Sequence, residues 1–241
     1  MSQVIIFSDG ASKGNPGRGG WGAIIATDVH VVELGGAEMH TTNNRMEMTA
    51  AHEALSFVLQ EPEAATVVLH TDSSYVINGV TKWLAGWKAK DWITSTKSEV
   101  LNRDLWESLD EVIEGLGDRG IKVTWKYVGG HVGIAGNERV DEIASNYAVG
   151  KQVELYSGPR EAYNVDVTNI EVTRARVDEK KSSKSRSKAT AYSYISTIGG
   201  IIKTHATWAE CEARVKGVTS ARFKKALTQE EEAEIIKQFT R

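Results

Sequence analysis

Apolar residues follow two rhythms along the first 150 positions of the chain. Short runs rich in β-branched and aromatic residues, at Val4–Ser8, Trp21–Thr27, Val29–Gly35, Thr66–His70 and Lys122–Val128, read as strands. Met46, Met48, Ala51, Leu55, Val58 and Leu59 recur at helical spacing, and Ser73–Trp83, Asp104–Gly115 and Glu138–Ala148 read as further helices. Asn43 or Asn44 is placed to cap the first helix and Asn137 the last. The glycine-rich stretch from Asp9 to Gly20 reads as a loop between the first two strands. The resulting order, β-β-β-α-β-α-α-β-α, predicts an α/β fold, a mixed sheet flanked by helices. Asp9 and Asp72 follow the first and fourth strands, so they meet only if those strands lie side by side.

Past Gly150 the pattern weakens. Val172–Thr190 holds seven Lys or Arg opposed only by Asp178 and Glu179, with too little apolar surface to fold, so residues 150–190 read as a basic flexible linker. Order resumes at Ala191. Tyr192–Ile202 reads as two short strands around Gly199-Gly200, and Trp208–Val215 and Gln229–Phe239 as helices. Residues 191–241 are therefore expected to form a small α+β module, marginal on its own core, behind a first domain spanning residues 1–149.

Composition narrows the setting. A hydrophobic share of 41% over 241 residues supports an ordered core, while the apolar runs are far below the roughly 18 residues that span a bilayer. No membrane is expected. The first apolar run lacks a basic leader, and the expectation is a cytoplasmic monomer. Cys211 has no second cysteine to pair with and reads as a small buried apolar residue. Net charge splits by position: 12 Lys and Arg stand against 20 Asp and Glu in residues 1–149, and 17 against 12 in residues 150–241. A basic tail could supply the attraction for phosphates that an acidic front lacks.

The chemistry lies in four carboxylates: Asp9 in Phe-Ser-Asp-Gly, Glu47 in Thr-Thr-Asn-Asn-Arg-Met-Glu, Asp72 in Leu-His-Thr-Asp-Ser and Asp141 in Asn-Glu-Arg-Val-Asp-Glu. Acids gathered without cations repel one another, so a shared pocket implies hard divalent ions, Mg²⁺ with Mn²⁺ as a substitute. Two such ions about 4 Å apart activate a water and stabilise the leaving oxygen of a phosphodiester. A nuclease follows.

These segments, with Asp9-Gly-Ala-Ser-Lys-Gly-Asn-Pro-Gly and Gly-Gly-His-Val-Gly-Ile-Ala-Gly, resemble bacterial-type ribonuclease HI from Val4 to about Ala148. The resemblance implies a five-stranded mixed sheet with helices and hydrolysis of the RNA strand of RNA–DNA hybrids, leaving 5′-phosphate and 3′-hydroxyl ends. It also implies that Asp9, Glu47, Asp72 and Asp141 hold two metal ions and that His131 assists catalysis and product departure. Asn15, Asn43 and Asn44 match positions that approach the hybrid, although turn formation and helix capping explain them as well. Thr42 and Arg45 resemble part of a pocket for a DNA-strand phosphate. Trp83, Trp87 and Trp92, interleaved with Lys82, Lys88, Lys90 and Lys97, look like the family's basic protrusion, and Trp83 fits a core position equally well. His30, His40, His52, His70 and His205 read as structural or solvent-facing.

The stretch Tyr192–Phe239 resembles the viroplasmin-like, hybrid-binding domain. The likeness gives Trp208, Lys224 and Lys225 the backbone contacts, with Tyr194 as a helper. Thr197-Ile-Gly-Gly stands where that family has a basic hairpin, and Ala226 where an aromatic is usual. The alternatives are a catalytically inactive hybrid-binding protein, or another nuclease of the same fold.

Overall fold

The computed structural model describes residues 2–61, 64–129, 133–170, 190–218 and 221–240. His131 and the basic run of residues 172–189 lie outside them. Two compact units divide the chain, Met1–Thr173 and Arg174–Arg241.

The first unit is built on a six-stranded sheet. Its strands are β1 (Ser2–Gly14), β2 (Gly17–Ala26), β3 (His30–Thr41), β4 (Ala64–Thr71), β5 (Lys122–Tyr127) and β6 (Ser157–Pro159), in the order β5-β4-β1-β2-β3-β6. β1 runs parallel to β4 and antiparallel to β2. It is buried on both faces, which is why its apolar run is unbroken. Val4 and Ile6 enter one core with Met48, Leu55, Leu109 and Trp106. Phe7 enters the other, with Ile24, Val128, Ile134 and Val140. Helices α1 (Asn43–Gln60) and α4 (Arg103–Asp118) supply side chains to the first core, and α5 (Ala135–Ala148) to the second.

Three sequence expectations are corrected. The glycine-rich stretch after Asp9 is not a loop: β1 continues to Gly14, pairing Gly10 with Trp21 and Gly14 with Gly17, and only Asn15-Pro16 turns. Glycine gives no side-chain rhythm, so the pairing could not be read from pattern. The helix expected over Ser73–Trp83 is short α2 (Ser74–Asn78) followed by a π-helical turn, Gly79–Trp83, and α3 (Leu84–Lys88). A Cβ on Gly79 would lie 1.9 Å from the Trp106 ring, so Gly79 is what lets that ring pack there. The stretch from Lys151 to Ile170 is not linker. Ser157–Pro159 pairs with His30–Val32 as the sixth strand beyond the five expected, and Val167 is buried with Tyr156 and Tyr163 packed nearby.

The caps also differ from expectation. Thr42, not an asparagine, caps α1 by accepting from the Arg45 N–H at 3.4 Å. Asn137 is buried inside the first turn of α5 and is not its cap.

The second unit is a three-stranded antiparallel sheet, β8 (Ile201–His205), β7 (Ser193–Ile198) and β9 (Arg222–Ala226), with helices α6 (Trp208–Val215) and α7 (Gln229–Thr240). Gly199 and Gly200 turn β7 into β8 with φ of 56° and 81°, the double left-handed conformation a tight hairpin favours. Ile195, Ala226, Ile235 and Phe239 form its core, so the unusual Ala226 is a packing residue beneath α7.

Candidate metal centre and nucleic-acid interface

The parallel ladder of β1 and β4 places Phe7 opposite His70, and the same register carried two residues further sets Asp9 level with Asp72. α1 brings in Glu47. Its backbone crosses β1 so closely that a Cβ on Gly10 would lie 2.2 Å from the Glu47 nitrogen. Gly10 is thus the residue that lets this helix deliver its carboxylate, a role missed in the sequence, where only the Asp-Gly pair signalled it.

Carboxylate oxygens of Asp9, Glu47 and Asp72 lie within 4.8 Å of one another. Asp9 is buried. Burial and the charge of Asp72, followed by those of Asp141 and Glu47, push its carboxyl up to about 8 against a hydrogen bond from the Gly10 N–H. Burial likewise pushes Glu47 up to about 7, with Asp72 adding to it, while hydrogen bonds from Ser73 and Asn43 pull the other way. The Asn43 amide donates to Glu47 at 2.6 Å. Ser73 was also missed: its hydroxyl accepts from the Val76 N–H as the cap of α2 while serving Glu47, and a serine at the start of a helix was the available signal. An all-oxygen donor set whose members resist ionising together fits a hard divalent cation.

Asp141 is not one of the three clustered acids. It sits on α5, near enough for its charge to act on Asp9, with the Ser145 hydroxyl 3.5 Å from its Oδ1. Asn15 occupies the exposed tip of the β1–β2 hairpin, and Asn44 is half-buried beside Asn43. Arg45 is held by Asp104 through two hydrogen bonds of 2.9 and 2.8 Å, so its guanidinium is already committed.

The aromatic protrusion divides. Trp92 is core, at 8% exposure. Trp87 bridges Trp83 and Trp106, with ring centroids 5.6 and 5.5 Å away, and only Trp83 presents an exposed ring. Lys88 is tied to Asp110 and Glu114, whereas Lys82, Lys90 and Lys97 are exposed.

In the second unit Trp208 lies between Tyr194 and Phe223, at 5.6 and 5.2 Å. Trp208 and Phe223 are exposed. The register pairs Tyr194 with Lys225 and Ser196 with Phe223, which places Phe223 and Lys225 on one face. Lys224 is on the opposite face, its Nζ on Gln238 of α7 at 2.8 Å. Phe223 was missed, since one aromatic in a basic run carries no periodicity.

A mixed sheet with acids from two neighbouring strands and a crossing helix is the build of a metal-dependent nuclease. The family model for RNase H matches residues 1–149. Ribonuclease H of Cupriavidus pinatubonensis is 52% identical over 145 residues, 60% of this chain and 94% of the relative. That of Novosphingobium aromaticivorans is 49% identical over 149 residues, 62% and 99% of the two chains. Among solved structures, LC9-RNase H1, a type 1 RNase H with the type 2 active-site motif, is similar with a TM-score of 0.56 and 25% identity over 74% of this chain and 84% of its own. The chain belongs to the RNase H family. Among the described residues no helix is long and apolar enough to cross a membrane.

Proposed function

We propose that this chain is an endonuclease that hydrolyses the RNA strand of RNA–DNA hybrids with two Mg²⁺ ions, leaving 5′-phosphate and 3′-hydroxyl ends. The observation that carries the reading is the buried Asp9 with Glu47 and Asp72 around it, oxygens within 4.8 Å. When bound, a pair of divalent ions supplies a nucleophilic water and stabilises the leaving oxygen. Asp9, Glu47 and Asp72, with Asp141 nearby, would hold the ions. Asn43 and Ser73 fix the Glu47 oxygens. His131, outside the described residues, is read as assisting catalysis and product departure.

Asn15, Asn43 and Asn44 offer amides to the 2′-hydroxyls that distinguish RNA from DNA. Thr42 and Arg45 lie along the DNA strand, where Arg45 reaches a phosphate only by sharing its guanidinium with Asp104. Trp83 packs on the sugar face, and Trp87 braces it.

The second unit is read as a viroplasmin-like hybrid grip. Trp208, Tyr194 and Lys225 support this reading, with Phe223 beside them. Lys224 contributes only by leaving Gln238. The protein is read as a cytoplasmic monomer, with Mn²⁺ able to replace Mg²⁺.

A cleavage assay with labelled hybrid, duplex RNA and duplex DNA at varied Mg²⁺ tests this. Metal-dependent cutting confined to the RNA of the hybrid is expected. Binding of hybrid without cleavage would instead favour an inactive binding protein, and cutting of duplex DNA another nuclease of this fold.

A further inference from the structure

α5 lies across β2 on glycines. A Cβ on Gly20 would meet the Ala144 carbonyl at 2.4 Å, and one on Gly22 the Ile143 side chain at 2.8 Å. At these two positions the sheet allows close approach but offers no side chain to resist sliding or rolling, and the remaining contact is the apolar packing of Val140 with Phe7 and Ile24. The lock stands on one flank. Arg139 donates Nε to Glu33 Oε1 and Nη2 to Glu33 Oε2, both at 2.8 Å, against a Glu33 side chain that is 0% exposed. Tyr163 OH donates to Glu33 Oε1 at 2.6 Å and the Tyr156 N–H to Oε2 at 3.0 Å. Arg139 Nη2 also reaches the Glu154 carbonyl at 3.0 Å.

Glu33 is on β3, to one side of β2, and Asp9 on β1, to the other. Arg139 and Asp141 are two residues apart, about 200° around a helix of 3.6 residues per turn. One flank of α5 is therefore fastened over β3 while the opposite flank carries Asp141 toward Asp9. A roll of the helix moves both together.

We infer that Arg139 is a positioning residue: its fork on Glu33, closed by the segment from Glu154 to Tyr163, sets the roll of α5 and so the distance of Asp141 from Asp9. This rests on the reading of Asp141 as the fourth metal ligand. The planar guanidinium is required because an ammonium cannot make two parallel bonds in one plane.

The test uses the full chain with Arg139→Lys, the double variant Glu33→Met/Arg139→Met, and Asp141→Asn. The double variant removes both charges at once and so avoids an unpaired buried ion. Two readouts are taken: the Mg²⁺ concentration for half-maximal cleavage, and amide hydrogen exchange across residues 138–142 of α5 in metal-free protein. Both Arg139→Lys and the double variant should need at least fivefold more Mg²⁺ with hybrid KM unchanged. In the double variant exchange in that turn should quicken at least tenfold while α1 and α4 keep their protection. Wild-type metal demand and wild-type exchange in the double variant would overturn the positioning role. Wild-type cleavage by Asp141→Asn would instead overturn the reading of Asp141, so the two failures are told apart.

Discussion

The Asn43 amide donates to the Glu47 carboxylate across one turn of α1, at 2.6 Å. One side chain therefore holds a candidate ligand and, on the proposed reading, also meets the hybrid. Because Thr42 supplies the cap of α1, Asn43→Ala should leave thermal stability within about 1 °C of wild type and cut turnover about tenfold, equivalent to roughly 1.4 kcal/mol of transition-state stabilisation. Steady-state kinetics beside a melting curve checks it, and a large loss of Tm with normal turnover would contradict it.

Ionising Asp9 is costly, since burial and neighbouring acids oppose it. Asp9→Asn should abolish Mg²⁺-dependent cleavage while stabilising the metal-free protein by about 1–2 kcal/mol, roughly 2–8 °C in Tm. Calorimetry with and without Mg²⁺ measures this. Added Mg²⁺ should raise the wild-type Tm more than that of the variant.

Gly10 touches the α1 backbone directly. A methyl group there must push α1 from β1, and neither is a flexible side chain that could yield. Gly10→Ala should cost about 2–4 kcal/mol, by the logic of overpacking, and should reduce activity even at temperatures where the variant is fully folded. Urea melts paired with cleavage rates would separate the two effects.

The Glu33 carboxyl contributes to stability on the acid side. Burial pushes it up, but donors from Arg139, Tyr163 and the Tyr156 backbone outweigh burial and hold it below its ordinary 4.5. A depressed folded value means that the stabilisation is complete above the unfolded value and is lost as pH falls through the folded one. Glu33→Gln should therefore be less stable than wild type by about 3–5 kcal/mol at neutral pH. That gap should hold down to about pH 5 and narrow below about pH 4.5. Chemical denaturation across pH 3–8 reads it directly.

On the proposed reading, the second unit meets hybrid through the exposed ring of Trp208, flanked by Tyr194 and Phe223. Trp208→Ala or Phe223→Ala should weaken binding of long hybrids about tenfold and leave cleavage of short hybrids near wild type. Lys224→Ala, on the α7 face, should do far less than Lys225→Ala. Equal losses from the two lysines would contradict the assignment of faces.

What the chain disclosed in advance follows from how local each signal is. Val4–Phe7 and the Met46–Leu59 spacing were legible because burial on a strand or helix repeats within a few residues. So were Gly199-Gly200 and the Trp208 helix. Each carboxylate sat in a distinctive segment, which made the acid set visible before any fold was known. Gly22 was silent and Gly10 nearly so, because what they permit is the nearness of another element. Lys151–Ile170 was silent for a related reason: its anchor, Glu33, lies more than a hundred positions earlier, and no window of sequence holds both ends.

That separation has a consequence for synthesis. Glu33 and Tyr163 are 130 residues apart, so at about 5–20 residues per second the ribosome works for roughly 7–26 s between making the carboxylate and making its phenolic partner. Through that interval the outer margin of the nascent sheet waits for its last stitch, and the N-terminal unit can complete this contact only after translation has passed residue 163.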